Sequence, residues 1–315
     1  MKLRKLFSVL LVLCLLLQGT AITVAAETGT DEKTQVAEVT YPVAIDATNF
    51  PDSIFRDYVS EQFDKNSDGQ LSQQEAEAVD AIWVTSRGIS DLTGLRVFPN
   101  LEILYCASNQ LTALDVTQNP ALTYLCCYSN QLTKLDVSQN PALTDLLCST
   151  NKISALDVTQ NSALTYLACG STQLTALDVS QNPALSKLAC DSNQLTALDV
   201  TQNPALTVLS CDYNQLTALD VTQNPALTNL SCRSNKLTTL DVTQNSKLQR
   251  LDCLSNQLTE LDVSQNPALT KLLCSFNQLT ELDVTQNPAL EWLYREYNPL
   301  TALDVTRNPD RKSVV

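Results

Sequence analysis

The most reactive side chains in this sequence are its cysteines, nine of which recur at intervals of twenty-one residues. An array of thiols could pair as disulfides, hold a soft metal ion or supply nucleophiles. All nine occupy one position of a repeat, so their side chains point the same way instead of toward one another. We predict buried thiols that act as small hydrophobic groups, with disulfide-paired or metal-bound thiols as the alternative. The nine residues are Cys106, Cys127, Cys148, Cys169, Cys190, Cys211, Cys232, Cys253 and Cys274.

Catalytic chemistry beyond these thiols is poorly represented. The sequence has no histidine, which removes the usual general base and a common zinc ligand. Cys126 is the one repeat-region cysteine predicted to face outward, between Tyr124 and Tyr128, but no histidine is present to activate its thiol. Because no nucleophile–base pair, phosphate loop or catalytic metal site is recognisable, we predict that the protein is not an enzyme.

A segment rich in oxygen-bearing side chains runs from Asp64 to Glu75. Calcium prefers many hard oxygen ligands in a flexible shell, and this segment supplies them. It resembles the calcium loop of an EF-hand, with Gly69 at the sharp turn. The resemblance implies that Gln70 binds through its backbone carbonyl, Ser72 through a water molecule and Glu75 through two oxygens, beside the side chains of Asp64, Asn66 and Asp68. We expect one Ca²⁺ to stiffen this region; the alternative is a polar loop.

Helices are predicted on both sides of this loop, so that residues 49–80 form a small α helix-loop-helix cap. One apolar stripe at helical spacing contains Ile54, Phe55, Tyr58 and Val59. A second contains Ala76, Val79 and Ile82. A degenerate first repeat follows, which the cap covers because the end of a repeat array has no neighbour.

Repeats of twenty-one residues fill most of the chain, in ten units from Leu101 to about Pro309. Each unit has a Leu-x-x-Leu-x-Cys-x-x-Asn half and a Leu-x-x-Leu-x-Val-x-x-Asn-Pro half. Both contain short strand patterns, and we expect the asparagines to bond the backbone of the bends. Thr172 replaces one asparagine, so that rung should be looser. A period of this size predicts a solenoid of parallel rungs, mainly β and coil, over residues 81–309.

The first half-repeat resembles a leucine-rich repeat of the bacterial exported, internalin-like type. This resemblance implies a curved solenoid with a parallel sheet on its concave face. It also implies surface adhesion or binding of a protein or glycan. The short second half favours a flatter rod, with strands or extended segments on both sides.

Aromatic residues occur where the repeat varies, at positions flanking the Leu-x-Cys strand that should point outward. Side chains of this type dominate binding surfaces. The alternative is that outward positions tolerate any residue and drift. The predicted partner-binding residues are Tyr105, Tyr124, Tyr128, Tyr166, Tyr213, Phe276, Trp292, Tyr294 and Tyr297.

One aspartate per rung forms a ladder on the second half-repeat, and its side chains should face outward. Either neighbouring threonine, serine and glutamine side chains satisfy these carboxylates, or divalent cations gather weakly along them. The ladder comprises Asp115, Asp136, Asp157, Asp178, Asp199, Asp220, Asp241, Asp262, Asp283 and Asp304.

The two ends of the chain and its net charge indicate the cellular location and the classes of partner. Residues 1–26 read as a signal peptide, residues 27–48 as a flexible leader, and residues 310–315 as a tail without a wall-sorting motif. The formal net charge of −14 argues against nucleic acid and anionic membranes as partners, and no membrane span is predicted. We expect a secreted or cell-surface protein; the alternatives are a structural spacer or wall-layer module, or a non-catalytic fragment of a larger surface protein.

Overall fold

Short parallel strands, one from each repeat, form the framework of the protein. The computed structural model describes residues 38–301 and the strand Ser313–Val314. In this part of the chain twelve strands form one sheet, whose order follows the sequence. They are β3 Ala81–Trp83, β4 Ile103–Tyr105, β5 Tyr124–Cys126, β6 Asp145–Leu147, β7 Tyr166–Ala168, β8 Lys187–Ala189, β9 Val208–Ser210, β10 Asn229–Ser231, β11 Arg250–Asp252, β12 Lys271–Leu273, β13 Trp292–Tyr294 and β14 Ser313–Val314. The predicted repeat solenoid is confirmed.

Leucine at the centre of each repeat strand sets the register of the sheet. Leu104 of β4 pairs with Leu125 of β5, which pairs with Leu146 of β6. All three are fully buried, because alternate residues of a strand point to opposite faces. The cysteine two residues after each central leucine points the same way and is also fully buried, as Cys106 and Cys127 show.

The buried thiols are unpaired, as predicted for the repeat position. Every cysteine in the described residues is free and buried; Cys14 lies outside them. Burial raises the pKa of Cys148 to about 12, so its thiol is neutral and unreactive at physiological pH. The thiols therefore fill the core as small apolar groups.

The second half of each repeat does not form the strand that its pattern predicts. Leu114 and Val116 are buried as expected, but the one pairing on this side of the described solenoid is an isolated bridge between Asp115 and Asp136. Asp115 Oδ1 accepts a hydrogen bond from the Thr117 N–H at 3.0 Å, which turns the backbone and ends the extended segment. Extended segments and turns therefore make up this side.

Asparagine in the first half-repeat ties three chain segments together. Asn130 Nδ2 donates to the carbonyls of Cys106 at 3.1 Å and Cys127 at 3.0 Å, and its Oδ1 accepts from the Leu111 N–H at 3.0 Å. Buried backbone groups at the bend are thus paired by a side chain. This arrangement confirms the predicted role of the first asparagine column.

Asparagine in the second half-repeat is only partly satisfied. Asn140 Nδ2 donates to the carbonyls of Val116 at 2.9 Å and Asn119 at 2.8 Å. Its Oδ1 is buried without a hydrogen-bond partner, and the same is true of Asn119, Asn161, Asn182, Asn203, Asn224, Asn245 and Asn266. An unpaired buried acceptor costs free energy, so the first column contributes more to stability than the second.

The predicted helix-loop-helix precedes the sheet. Helix α1 spans Ser53–Phe63 and helix α2 spans Gln73–Glu77. Between them, β2 Gln70–Leu71 pairs antiparallel with β1 Val43–Ala44. Strand β1 lies within the segment predicted to be a flexible leader, and that prediction is wrong for this part. The signal peptide, the rest of the leader and most of the tail lie outside the described residues.

The cap differs from the prediction in two details. Ile54, expected in the buried stripe of α1, is 41% exposed, so the stripe is narrower than predicted. Helix α2 ends before Ile82, which lies in β3. The Asp80 carbonyl accepts a hydrogen bond from the Glu102 N–H at 2.8 Å, and this bond draws the chain after α2 into the first rung.

Thr172 breaks the first asparagine column. Its hydroxyl lies 2.9 Å from the Cys169 carbonyl and 2.7 Å from Asn193 Oδ1. A threonine has no amide, so it cannot pair two carbonyls of adjacent rungs while also accepting from the N–H of Ile153, as asparagine does in the equivalent rungs.

We predict that Thr172→Asn stabilises the protein, because the new amide restores these bonds to buried backbone groups. We expect a gain of about 1–2 kcal/mol in unfolding free energy and a rise in Tm of roughly 2–4 °C, measured by differential scanning calorimetry. Thr172→Val, which keeps the shape and removes the hydroxyl, should lower the Tm. A lower Tm for Thr172→Asn would contradict the stabilising role of the column.

Candidate binding face and calcium loop

The predicted partner-binding residues separate into two groups in the structure. On each strand from β3 to β13 the central residue points inward and its two neighbours point outward; the central residue is Ile82 in β3 and leucine in the other strands. We call the outward residues of β3 to β13 the strand face. Five predicted residues belong to it: Tyr105, Tyr124, Tyr166, Trp292 and Tyr294. Tyr128 lies just beyond β5, and the remaining three occupy a separate turn.

Three aromatic rings stack along the first strands of this face. Trp83 and Tyr105 have ring centroids 5.4 Å apart with an interplanar angle of 19°. Tyr105 and Tyr124 follow at 6.0 Å and 14°. Trp83 is 54% exposed and was not among the predicted binding residues. Trp83 pairs in register with Tyr105. Aligning the degenerate first rung with the regular repeats therefore identifies Trp83 as an outward residue of the same column.

Cys126 lies on the strand face, as predicted, but it is not accessible. Tyr105 and Tyr124 lie close enough to its thiol to influence its pKa, and the residue is 0% exposed. Burial raises the pKa of Cys126. The pKa of the Tyr105 phenol is raised to about 12, and the nearby Cys126 is the largest cause. The outward thiol therefore supports the aromatic stack instead of reacting.

The three aromatic residues of the turn lie at an edge of the solenoid. Tyr213, Phe276 and Tyr297 have φ values of 52°, 57° and 57°, in the left-handed region that bulky residues rarely adopt. The rings of Phe276 and Tyr297 stack at 4.2 Å. The sequence pattern placed them on one surface with the strand residues, whereas the turn separates them from it.

Beyond β7, charged residues lie on the strand face and just beside it. Asp212 follows β9 and accepts hydrogen bonds from Ser231 Oγ at 2.8 Å and the Arg233 N–H at 2.8 Å. Despite these bonds, burial raises the pKa of Asp212 to about 6, and the carboxylates of Asp191 and Asp252 contribute to the rise. This carboxylate is thus held in a site that disfavours its charge.

The aspartate ladder lies on the second half-repeat and is satisfied locally. Asp157 Oδ1 accepts hydrogen bonds from Thr159 Oγ1 at 2.7 Å and the Thr159 N–H at 2.9 Å. These bonds lower the pKa of Asp157. Among the described residues, no group of three or more histidine, cysteine or acidic residues is arranged to hold a metal ion. The structure therefore favours hydrogen-bonded, solvated carboxylates; Asp304 lies outside the described residues.

The predicted calcium loop closes on itself through its carboxylates. Asp64 accepts hydrogen bonds from the N–H groups of Asp68 at 3.2 Å and Gly69 at 2.9 Å. Glu75 accepts from the Lys65 N–H at 2.8 Å and from the Ser72 N–H at 2.9 Å. The pKa of Glu75 is lowered mainly by the hydrogen bond from the Ser72 hydroxyl, and then by the bonds from the N–H groups of Ser72 and Lys65.

The donor chemistry of this loop fits calcium, although in the conformation described its acidic side chains, those of Asp64, Asp68 and Glu75, are not gathered as a metal site. Carboxylate, amide and hydroxyl oxygens of Asp64, Asn66, Asp68, Ser72 and Glu75 lie between the end of α1 and the first turn of α2. Gly69 adopts a φ of +79° at the turn of this loop. In the conformation described, the carboxylates accept hydrogen bonds from backbone N–H groups and from other side chains of the same loop. Binding an ion would exchange some of these bonds for calcium ligands.

We predict that Asp212→Asn stabilises the protein near pH 7 and has little effect near pH 4. The folded pKa of about 6 lies above the unfolded value of about 3.9, so the folded state binds more protons between these values. Stability contributed by this group is therefore lost as pH rises through that range. The amide oxygen can still accept from Ser231 and Arg233.

After allowance for solvent screening, the effect near pH 7 should be on the order of 1 kcal/mol. Thermal unfolding of both proteins between pH 4 and pH 8 measures it. Asp199 serves as a control because hydrogen bonds to Thr201 lower its pKa, and Asp199→Asn should change stability in the opposite sense. Parallel pH profiles for Asp212→Asn and the parent would contradict the assignment.

Several solved structures share this architecture. The functional domain of InlJ from Listeria monocytogenes, described as including a cysteine ladder, is 39% identical with a TM-score of 0.73. That match covers 87% of this chain and 66% of the InlJ domain in the solved structure, so this chain spans about two thirds of the length of that domain. A leucine-rich repeat protein from Leptospira interrogans is 26% identical over 76% of this chain and 67% of that one, with a TM-score of 0.70.

An internalin, inlF from Listeria monocytogenes, is 19% identical to this chain, with a TM-score of 0.59. The match covers 88% of this chain and 97% of the inlF chain. At this identity the likeness supports the fold alone. No protein-family model and no curated protein matches the chain. In the described residues, no helix combines the length and hydropathy needed to cross a bilayer. The sheet, its register and these neighbours agree: the chain is a leucine-rich repeat protein of the parallel-solenoid type, with internalin-like structural relatives.

Proposed function

We propose that this protein is a secreted or cell-surface module that binds a protein or glycan partner through its strand face, as in adhesion. The observation that carries the proposal is the row of stacked aromatic rings on the first strands. Tyrosine and tryptophan contribute large, rigid, amphipathic contact areas at binding surfaces. A repeat that keeps its inward residues constant while varying these outward ones supports a role in recognition.

The rigidity of the sheet supports the same proposal. Each strand from β4 to β13 is bonded to a neighbour on both sides, and the residue after it continues the pairing, as in the bond from the Cys127 N–H to the Leu147 carbonyl at 2.9 Å. Side chains held on such a framework lose little conformational entropy when a partner binds. The functional domain of InlJ is described as including a cysteine ladder, which supports placing function in the solenoid.

Export is consistent with the state of the cysteines. Free thiols are unusual in oxidising compartments, where they pair or oxidise. Here the repeat thiols are fully buried and burial raises their pKa, so oxidants reach few thiolates. The proposal of a secreted protein therefore does not require disulfides for stability.

We also propose that Ca²⁺ binds the loop and stabilises the cap, held by Asp64, Asn66, Asp68, Gln70, Ser72 and Glu75. When bound, the ion would neutralise the repulsion among the loop carboxylates. Strand β2 of the loop pairs with β1 in a separate two-stranded sheet. Helix α1, which leads into the loop, contacts the solenoid through the hydroxyl of Tyr58, which accepts from the Trp83 N–H at 3.2 Å.

We predict that replacing Tyr124, Tyr128 and Tyr166 together by serine abolishes partner capture without unfolding the protein. All three side chains are partly exposed, so their loss leaves the buried core intact. The measurement is a pull-down from host and bacterial surface extracts, with the Tm recorded for each variant. The matched control replaces Gln118, Gln139 and Gln160, which lie on the second half-repeat. Equal capture by both variants would favour the spacer alternative.

We predict that Ca²⁺ raises the Tm and that EGTA lowers it. At a concentration of 100 times Kd, stabilisation should reach about 2.7 kcal/mol. Glu75→Gln should abolish the response, whereas Glu77→Gln, an exposed acid outside the loop, should retain it. Tryptophan emission in a Trp292→Phe background reports on Trp83, which Tyr58 connects to the cap. A melt and an emission spectrum unchanged by EGTA would contradict the calcium site.

A further inference from the structure

We infer that the protein has a second binding site, a slot at the edge of the solenoid that holds one hexose ring of a neutral glycan between Arg233 and Phe276. The slot lies among the turn residues that follow the strands, apart from the strand face. It is therefore a site in addition to the one that carries the proposed function. Three features lead to it: strained aromatic residues, the gap between their rings, and the charge around that gap.

The turn after each strand from β3 to β13 contains one residue in the left-handed region, and we call this row the turn edge. Its eleven residues have φ values between 52° and 57°. Seven are serine, one is threonine, and the other three are Tyr213, Phe276 and Tyr297. Bulky side chains are strained in this region. Burial does not compensate for the strain, because the three aromatic residues are 50%, 48% and 74% exposed. A strained conformation kept at the surface points to a function.

The aromatic groups of the turn edge stack along the solenoid. Phe276 and Tyr297 come from successive rungs, and their ring centroids lie 4.2 Å apart with an interplanar angle of 13°, so one face of Phe276 is covered. The Arg233 guanidinium, from the rung after Tyr213, lies over the Tyr213 ring at 5.1 Å. The guanidinium and the free face of Phe276 therefore face each other along the turn edge.

The gap between these two groups has the size of one sugar ring. Tyr213 and Phe276 are three rungs apart, which is about 14 Å at the usual spacing of neighbouring strands. Because the guanidinium occupies 5.1 Å of this span, about 9 Å remains in front of the Phe276 ring. A ring with a neighbour on each side needs about 3.5–4 Å per contact, and the pucker of a pyranose takes up the remainder. The intervening turn residues, Ser234 and Ser255, are too small to fill the gap.

Polar groups around the gap can bond the hydroxyls of a sugar. Ser234 and Ser255 form its floor and are partly exposed, and each hydroxyl can both donate and accept. Arg233 carries several N–H donors, and its Nε is buried without a hydrogen-bond partner among the described residues. Flat apolar contact on the Phe276 side and hydroxyl-bonding groups on the others are the features that a pyranose ring requires.

The charge around the gap favours a neutral ligand. Asp212 accepts a hydrogen bond from the Arg233 N–H at 2.8 Å. On the other side, Glu296 accepts a hydrogen bond from the hydroxyl of Ser275, the residue before Phe276. In a chain of formal net charge −14, these carboxylates disfavour an anionic glycan. The guanidinium therefore acts as a donor to hydroxyl groups and not as the partner of an acid.

The test is isothermal titration calorimetry on the full chain with cellohexaose, laminarihexaose and mannohexaose, and with hexagalacturonate as the anionic probe. We expect at least one neutral hexasaccharide to bind and hexagalacturonate to bind more weakly. Phe276→Ser should lower the affinity by at least about tenfold without lowering the Tm, because serine is the common residue of this turn. Phe276→Trp should retain binding. Tyr166→Ser is the matched control, because it removes an aromatic residue from the strand face and should leave the affinity unchanged.

Affinity that survives both Phe276→Ser and Arg233→Gln would overturn the slot. Tighter binding of hexagalacturonate than of every neutral probe would overturn the assignment of a neutral ligand. Affinity that depends on Tyr166 and not on Phe276 would move the glycan to the strand face, overturning this inference while supporting the proposed function. If none of the hexasaccharides binds, this inference fails, and the pull-down with the strand-face variant still decides the proposed function.

Discussion

Stability in this protein depends on contact between successive rungs, because a single rung cannot pair its own backbone or cover its own apolar residues. The Cys148 N–H bonds the Ala168 carbonyl of the next rung at 2.8 Å, and Asn151 reaches back to the Cys127 carbonyl at 3.1 Å. Leucine, cysteine and valine columns are buried only when these bonds hold the rungs in register. Every other feature follows from this requirement, including the need for a cap at the first rung.

The same requirement separates stability from recognition. Inward positions must repeat because each contacts its own copy in the adjacent rungs. Outward positions contact solvent and mainly their lateral neighbours, so they can differ from rung to rung at little energetic cost. The result is a strand face with an aromatic, nearly uncharged first half and a charged second half. Cys126 marks the boundary between the two roles, since it points outward yet is covered by Tyr105 and Tyr124.

The cap connects the predicted calcium loop to this face. Asp52 begins α1 by accepting from the N–H groups of Ile54 and Phe55, and it also accepts from Ser90 N–H at 2.8 Å in the first rung. Gly94 passes so close to Phe50 that an added Cβ would lie 2.4 Å from the ring, so only glycine fits there. The cap is therefore packed and bonded onto the solenoid, and one of these bonds joins Tyr58 to the backbone N–H of Trp83.

The sequence by itself determined the solenoid, its parallel rungs, the buried thiols and the bonding role of the first asparagine column, because a strict period forces equivalent residues into equivalent environments. Tertiary structure alone decided three matters. Turns at Asp115 and its equivalents prevent a second sheet, strand β1 forms where the sequence shows no pattern, and Trp83 joins the aromatic stack by lateral pairing with Tyr105. Each depends on contacts between segments distant in the chain or on local backbone turns, neither of which a repeat pattern encodes.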